Sequence, residues 1–121
     1  MDGTFAEYVS VPGRCAFPMA GNVPFEWGAI ASCAVATAYH AMQRADLRAG
    51  EPVAVFGVGG VGKHAVMWAD FFGIKNIIAV YVFDEKLDTA TEFGADVTIN
   101  GQDCDVLEVI MASICERLRR R

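Results

Sequence analysis

The residues best suited to chemistry are four glycines, at 57, 59, 60 and 62, set inside the apolar run VAVFGVGGVGKHAV of residues 53–66. A helix N-terminus carries unpaired N–H groups and a partial positive charge, so it attracts phosphate. Side chains would block that approach, and glycine removes them. In the G-x-G-x-x-G pattern, Gly57 permits the tight turn and Gly59 lets the backbone reach a pyrophosphate. Gly62 lets the helix pack closely on the strand before it, and Gly60 and Val61 complete the loop. The order strand, glycine loop, helix, strand raises the pattern above a bare glycine triplet. Two other readings stay open at this point. One is a tight strand-to-helix turn that holds no cofactor, and the other is a methyltransferase-like sheet that holds an adenosyl cofactor. The spacing G-x-G-G-V-G favours a pyrophosphate.

A dinucleotide fold ends its second strand, about 20 residues beyond the glycines, with an acid that grips the adenosine ribose. Here that strand reads IIAVYVFDEK, and Tyr81 stands where the acid is expected. Asp84 and Glu85 follow three and four residues later, where an N-cap and a first-turn acid for the next helix would also explain them. Loss of the acid removes repulsion against a 2′-phosphate, which leaves NADP as plausible as NAD. Lys86 could meet either a ribose hydroxyl or that phosphate, and Lys63 could be solvated.

Metal chemistry has fewer candidates. The cysteines stand at 15, 33, 104 and 115, with no C-x-x-C pair and no repeated spacing. Reduced thiols are the default for such a chain, and small buried thiols are the expectation for all four. His40 reads as a helix-face histidine, and His64 follows Lys63 at the glycine helix; neither is expected to bind metal.

These residues need elements to hold them. The segment TFAEYVSVP, residues 4–12, alternates and is β-prone, so it predicts a strand. Residues 24–45 predict two helices, with Pro24 in a first turn, a joint near Ser32 and Cys33, and Ser32 as the second N-cap. Strands at 53–56, 77–82 and 96–99 then alternate with helices at 61–72, 84–93 and 104–119, with Gly73 and Gly94 as helix stops. In the last helix Leu107, Ile110, Ile114 and Leu118 share a face at helical spacing. Val/Ile-rich strands alternating with amphipathic helices imply an α/β fold: a parallel sheet covered on both faces. The order βαβαβα is half of a Rossmann-type doubly wound sheet, with strand order 3-2-1, preceded by a strand and a helix pair.

Composition narrows the classes further. The chain has 121 residues, 54% hydrophobic and 21% charged, which argues for one globular core rather than disorder. A net charge of −5 argues against nucleic acid as a partner. The arginines at 117, 119, 120 and 121 read as a charged helix end rather than a basic patch. The uncharged stretch at 27–43 carries too many polar residues for a membrane span, and the start MDGTFAEYVS lacks the build of a signal peptide. A cytoplasmic location is the resulting expectation.

The segments GTFAEYVSVP, CAVATAYHA, LRAGEPVAVFGVGGVG and DEKLDTATEFGADVTIN, taken in order, resemble the zinc-dependent alcohol dehydrogenases of the medium-chain dehydrogenase/reductase superfamily. The similarity runs from about residue 3 to residue 100. Zinc-free quinone-reductase relatives usually carry one more residue in the glycine loop and lack a cysteine at position 33, so the zinc branch fits better. The resemblance implies that Cys33 is a catalytic zinc ligand and that Thr37 contacts the nicotinamide end of the cofactor. It places Gly57, Gly59, Gly60, Val61 and Gly62 on the pyrophosphate, and Lys86 on the adenosine ribose beside position 81. It implies an oxidoreductase that passes hydride between an alcohol or an aldehyde or ketone and NAD or NADP, with zinc polarising the substrate oxygen. On this reading residues 1–23 are a remnant of the GroES-like catalytic domain and residues 24–121 are part of the NAD(P)-binding domain. The family's earlier Cys and His zinc ligands, its four-cysteine lobe and its later strands have no counterpart here. The chain alone is therefore expected to be inactive. The alternative is a non-catalytic nucleotide-binding or dimerising fragment, using an open sheet edge to form a homo-oligomer.

Overall fold

The computed structural model describes residues 5–48 and 50–119, with side chains through residue 116 in the last helix. Three strands, β1 (Val53–Phe56), β2 (Ile77–Tyr81) and β3 (Val97–Asn100), form a parallel sheet in the order β1-β2-β3. Its register places Phe56 beside Val80 and Tyr81 beside Asn100. All strand C-termini therefore share one edge, where the connecting loops gather.

The centre of the sheet explains the Val/Ile-rich pattern. Residues Ile77 to Val80 of β2 are all buried, because helices cover both sides. On one face Val55, Ile77 and Ala79 pack with α3 (Gly60–Phe71), α4 (Asp84–Glu92) and α2 (Ala36–Arg44), through Val66, Ala69, Leu87 and Ala38. On the other face Ile78, Val80 and Ile99 pack with Ile110 of α5 (Val106–Arg119). The α/β half-Rossmann architecture expected from the alternating pattern is what forms.

The helix stops also follow their chemistry. Gly73 and Gly94 have φ of 74° and 106°, in the left-handed region that glycine enters at little cost. Behind each, two reversed backbone bonds close the helix: Gly73 N–H to Asp70 with Ile74 N–H to Ala69, and Gly94 N–H to Thr91 with Ala95 N–H to Ala90.

Four expectations need correction. Residues 5–12 form no strand: a strand is stable only when its backbone groups find a ladder partner, and none of the described strands offers one. The helix pair is not broken by a cap at Ser32. Instead α1 (Phe25–Ile30) runs through a π-helical turn (Ala31–Val35) into α2, and Ser32 makes no capping bond. In α5 Leu107 is exposed, while Val106, Val109 and Ile114 join Ile110 on the sheet. The helix is rolled by about one position from the expected stripe, and the side chains of Arg117, Leu118 and Arg119, like residues 120 and 121, lie outside the described set. Finally, Cys15, Cys33, Cys104 and Cys115 are all free and exposed rather than buried.

Candidate nucleotide site

The glycine loop is the best-defined feature at the C-terminal edge of the sheet. β1 ends at Phe56, and the chain turns at Gly57 with φ of 89°, which L side chains rarely adopt. The Gly57 N–H still reaches Val80 O at 2.9 Å, so the turn begins as the ladder ends. Three residues into α3, a Cβ at Gly62 would collide with the carbonyl oxygen of Gly57 and lie 2.8 Å from its carbon. These two glycines are therefore required by the fold itself.

Gly59 and Gly60 differ. A Cβ on either would meet nothing within 4 Å, so internal packing does not demand glycine there. Gly59 occupies the N-cap position of α3, where it makes no side-chain cap bond, and the first turn of α3 holds no acid. By contrast α4 opens on Asp84 and Glu85. The N-terminus of α3 thus keeps its partial positive charge and open N–H groups, behind backbone stripped of side chains. Such a cradle fits the pyrophosphate of a dinucleotide.

Two side chains in α3 point elsewhere. His64, buried, shares a 2.6 Å hydrogen bond with the Gly60 carbonyl, consistent with Nδ1–H as donor. Lys63 lies over the Phe93 ring at 5.7 Å from its centroid, on the side of α4. His40 sits exposed on α2.

One strand over, Tyr81 closes β2 beside the loop. It is half-buried, packs on the core, and meets Phe83 edge-on at 5.8 Å. The exposed side chain of Lys86 lines a cavity of about 490 Å³ at the ends of β2 and β3, shared with Asp84, Glu85, Asn100, Gln102 and Asp103. Asn100 donates to Asp84 Oδ1 at 2.7 Å. That contact spans 16 residues, and nothing in the local sequence pattern announces it.

Cys33 and Thr37 are both exposed, on the π-helical turn and the first turn of α2. This layer is tied to the glycine helix by Trp68, whose indole N–H donates to Val35 O at 3.1 Å. The ring of Trp68 also stands edge-on to Tyr39 at 5.0 Å. The π-helical turn leaves backbone carbonyls displaced from the regular ladder, and Trp68 satisfies one of them. Among the described residues no group of three His, Cys, Asp or Glu side chains could hold a metal ion. The residues present therefore do not fit a complete zinc site: they offer one candidate donor, Cys33. No helix of the described residues is long and apolar enough to cross a membrane.

Fold and loop together define the class: the first half of a Rossmann-type sheet, with its glycine turn intact. Residues 60–117 match the family model described as zinc-binding dehydrogenase. An alcohol dehydrogenase of Geobacillus stearothermophilus is 35% identical over 114 residues, 94% of this chain and 34% of that protein. Among solved structures, galactitol-1-phosphate dehydrogenase from Escherichia coli superposes with a TM-score of 0.83 at 31% identity, over 98% of this chain and 33% of that one. A short chain alcohol dehydrogenase of E. coli CFT073, solved with NADH, gives 0.85 at 26% identity, over 93% and 33%. The chain belongs to the zinc-binding dehydrogenases of the medium-chain dehydrogenase/reductase superfamily. It spans about a third of the length of the curated relatives it matches.

Proposed function

We propose that this chain is the adenine-side half of a dinucleotide-binding domain, and that the whole protein transfers hydride between an alcohol or carbonyl compound and NAD(P). The observation that carries the reading is the open backbone at Gly59 and Gly60, where glycine serves no packing purpose and an approaching pyrophosphate would need it. Gly57, Gly59, Gly60, Val61 and Gly62 form the loop, with Tyr81 and Lys86 at the adenosine end. Cys33 and Thr37 stand on the α2 side, where the family likeness puts a zinc ligand and a nicotinamide contact. Zinc supplies a Lewis acid to the substrate oxygen when it is bound. Its remaining ligands would come from outside the described residues. On the same reading residues 1–23 belong to the catalytic domain and residues 24–121 to the cofactor domain, in a cytoplasmic enzyme.

A second reading, a non-catalytic nucleotide-binding module that pairs with a second copy, rests on β1. It is an edge strand of the described sheet and exposes Phe56. Calorimetry with ADP, NAD and NADP tests the shared part. Binding of ADP supports both readings, and failure of all three nucleotides to bind reduces the glycine loop to a structural turn. Alcohol-dependent reduction of NAD or NADP, assayed with and without zinc, separates them: turnover lost in Cys33→Ser would establish the enzyme in this chain itself.

A further inference from the structure

We infer that His64 is a positioning residue of the nucleotide site: from one turn inside α3 its ring fixes the Gly60–Val61 peptide and so aims the Val61 N–H at an incoming phosphate. The inference rests on the dinucleotide reading above and adds to it a side chain that lies outside the glycine loop.

The first ladder bond of α3 runs from the Lys63 N–H to Gly59 O at 3.1 Å, so the N–H groups of Gly60, Val61 and Gly62 lie ahead of it. Those groups are the donors of the cradle, and they serve a ligand best when they are already aimed before it arrives. Backbone at Gly59 and Gly60 has no Cβ to restrict it, and no neighbour within 4 Å of where one would stand. The brace comes from one turn deeper. His64 Nδ1 lies 2.6 Å from Gly60 O. A carbonyl only accepts, so the ring nitrogen is the donor, and the neutral ring must be the Nδ1–H tautomer. The peptide is planar, with the Gly60 C=O and the Val61 N–H antiparallel across it. Holding the oxygen therefore points that N–H out of the open end of the helix.

The ring is itself held. His64 is 9% exposed and stands edge-on to Phe93, the residue that ends α4, at 6.3 Å between centroids. Water has little access to compete for the short bond, which strengthens it relative to an exposed one. Packing beside Phe93 asks for nothing more than an apolar side chain. The imidazole adds a donor, and the acceptor it meets is the carbonyl behind the cradle.

The test is calorimetry with ADP on the 121-residue chain and on two variants that divide donation from packing. His64→Leu keeps apolar bulk beside Phe93 and removes the donor. His64→Thr gives up the bulk but keeps a hydroxyl, which in a helix reaches the carbonyl one turn back. ADP binding should weaken about three- to tenfold in the Leu variant, the equivalent of one hydrogen bond, and return to within about twofold of the parent in the Thr variant. Thermal melts should rank the other way, with Leu at least as stable as Thr; a purely structural role would make binding follow stability. Undiminished ADP binding by His64→Leu overturns the inference, as does a Thr variant that binds no tighter than Leu. Nitrogen NMR of labelled histidines in the unaltered chain needs no variant: His64 should show the Nδ1–H tautomer where its ring is neutral, with exposed His40 as the internal comparison. The Nε2–H tautomer at His64 overturns the inference. If ADP binds and any of these results goes against His64, the dinucleotide reading stands and this inference falls. If ADP does not bind the unaltered chain, both fall together.

Discussion

Gly59 and Gly62 stand three residues apart in one motif, yet the structure gives them separable duties, and one pair of substitutions tests that. At Gly62 an alanine Cβ would occupy the place of the Gly57 carbonyl oxygen, with Val55 Cγ1 at 3.7 Å behind it. The obstacle is backbone, so no side-chain rotation relieves it, and either the turn or the first turn of α3 must shift. Overpacking of this kind costs typically 1–3 kcal/mol and sometimes more. Against it stands the helix propensity gained on replacing glycine by alanine, about 1 kcal/mol. Because the clash is with backbone, the upper part of the range applies, and Gly62→Ala should lose about 2 kcal/mol net. For a chain of this size that lowers the melting temperature by roughly 6–12 °C. At Gly59 the space around a Cβ is open and φ is −72°, so no strain arises. Threonine caps helices about as well as glycine, so Gly59→Thr should leave stability within about 0.5 kcal/mol. Its methyl and hydroxyl groups would fill the cradle and cap the N–H groups meant for phosphate. ADP binding should then fall at least about tenfold. Thermal circular dichroism reads the first effect, and calorimetry with ADP the second. A Gly62→Ala protein that melts with the parent would refute the close-approach argument. A Gly59→Thr protein that binds ADP undiminished would refute the pyrophosphate argument.

Other consequences can be checked with the same tools. Trp68→Phe keeps an aromatic ring beside Tyr39 but strips the partner from the part-buried Val35 carbonyl. Urea unfolding should show a loss of about 1–2 kcal/mol, and amide exchange should rise first across residues 31–36. Ile78→Ala empties a fully enclosed position between the sheet and α5, and should cost about 2–5 kcal/mol in the same assay. Gly94→Ala meets both a φ of 106° and the Asp70 side chain, whose Cβ would lie 2.9 Å from the new methyl. A loss of at least about 1 kcal/mol is expected, and a neutral melt would show that the α4 stop tolerates a side chain.

How much of this was legible in the sequence follows from the range of each interaction. The elements from β1 to α5 lie within two residues of their expected limits, because period, glycine stops and turn residues are local signals. The 3-2-1 sheet and the glycine turn were legible for the same reason. The strand expected at residues 4–12 was not, since its alternation records only a preference and a ladder needs a partner. Ser32 read as a cap because its residue type suits one, while the packing of α3 against the turn, through Trp68, favours a continuous π-helical bend. The exposed thiols correct a composition-based habit: cysteine is usually buried, but burial is decided by neighbours.

The sequence by itself determined the alternation of strand and helix, the glycine turn, the family, and the absence of an acid at position 81. Those properties are carried by residues close together in the chain. Tertiary structure decided which glycines serve the fold and which stand open to a ligand, because that depends on what lies opposite each missing Cβ. It also decided that Asn100 holds Asp84 across 16 residues, and so where a carboxylate stands at the end of β2. A contact between the end of β3 and the start of α4 has no periodicity to betray it, and only the packing of helix and sheet brings it about.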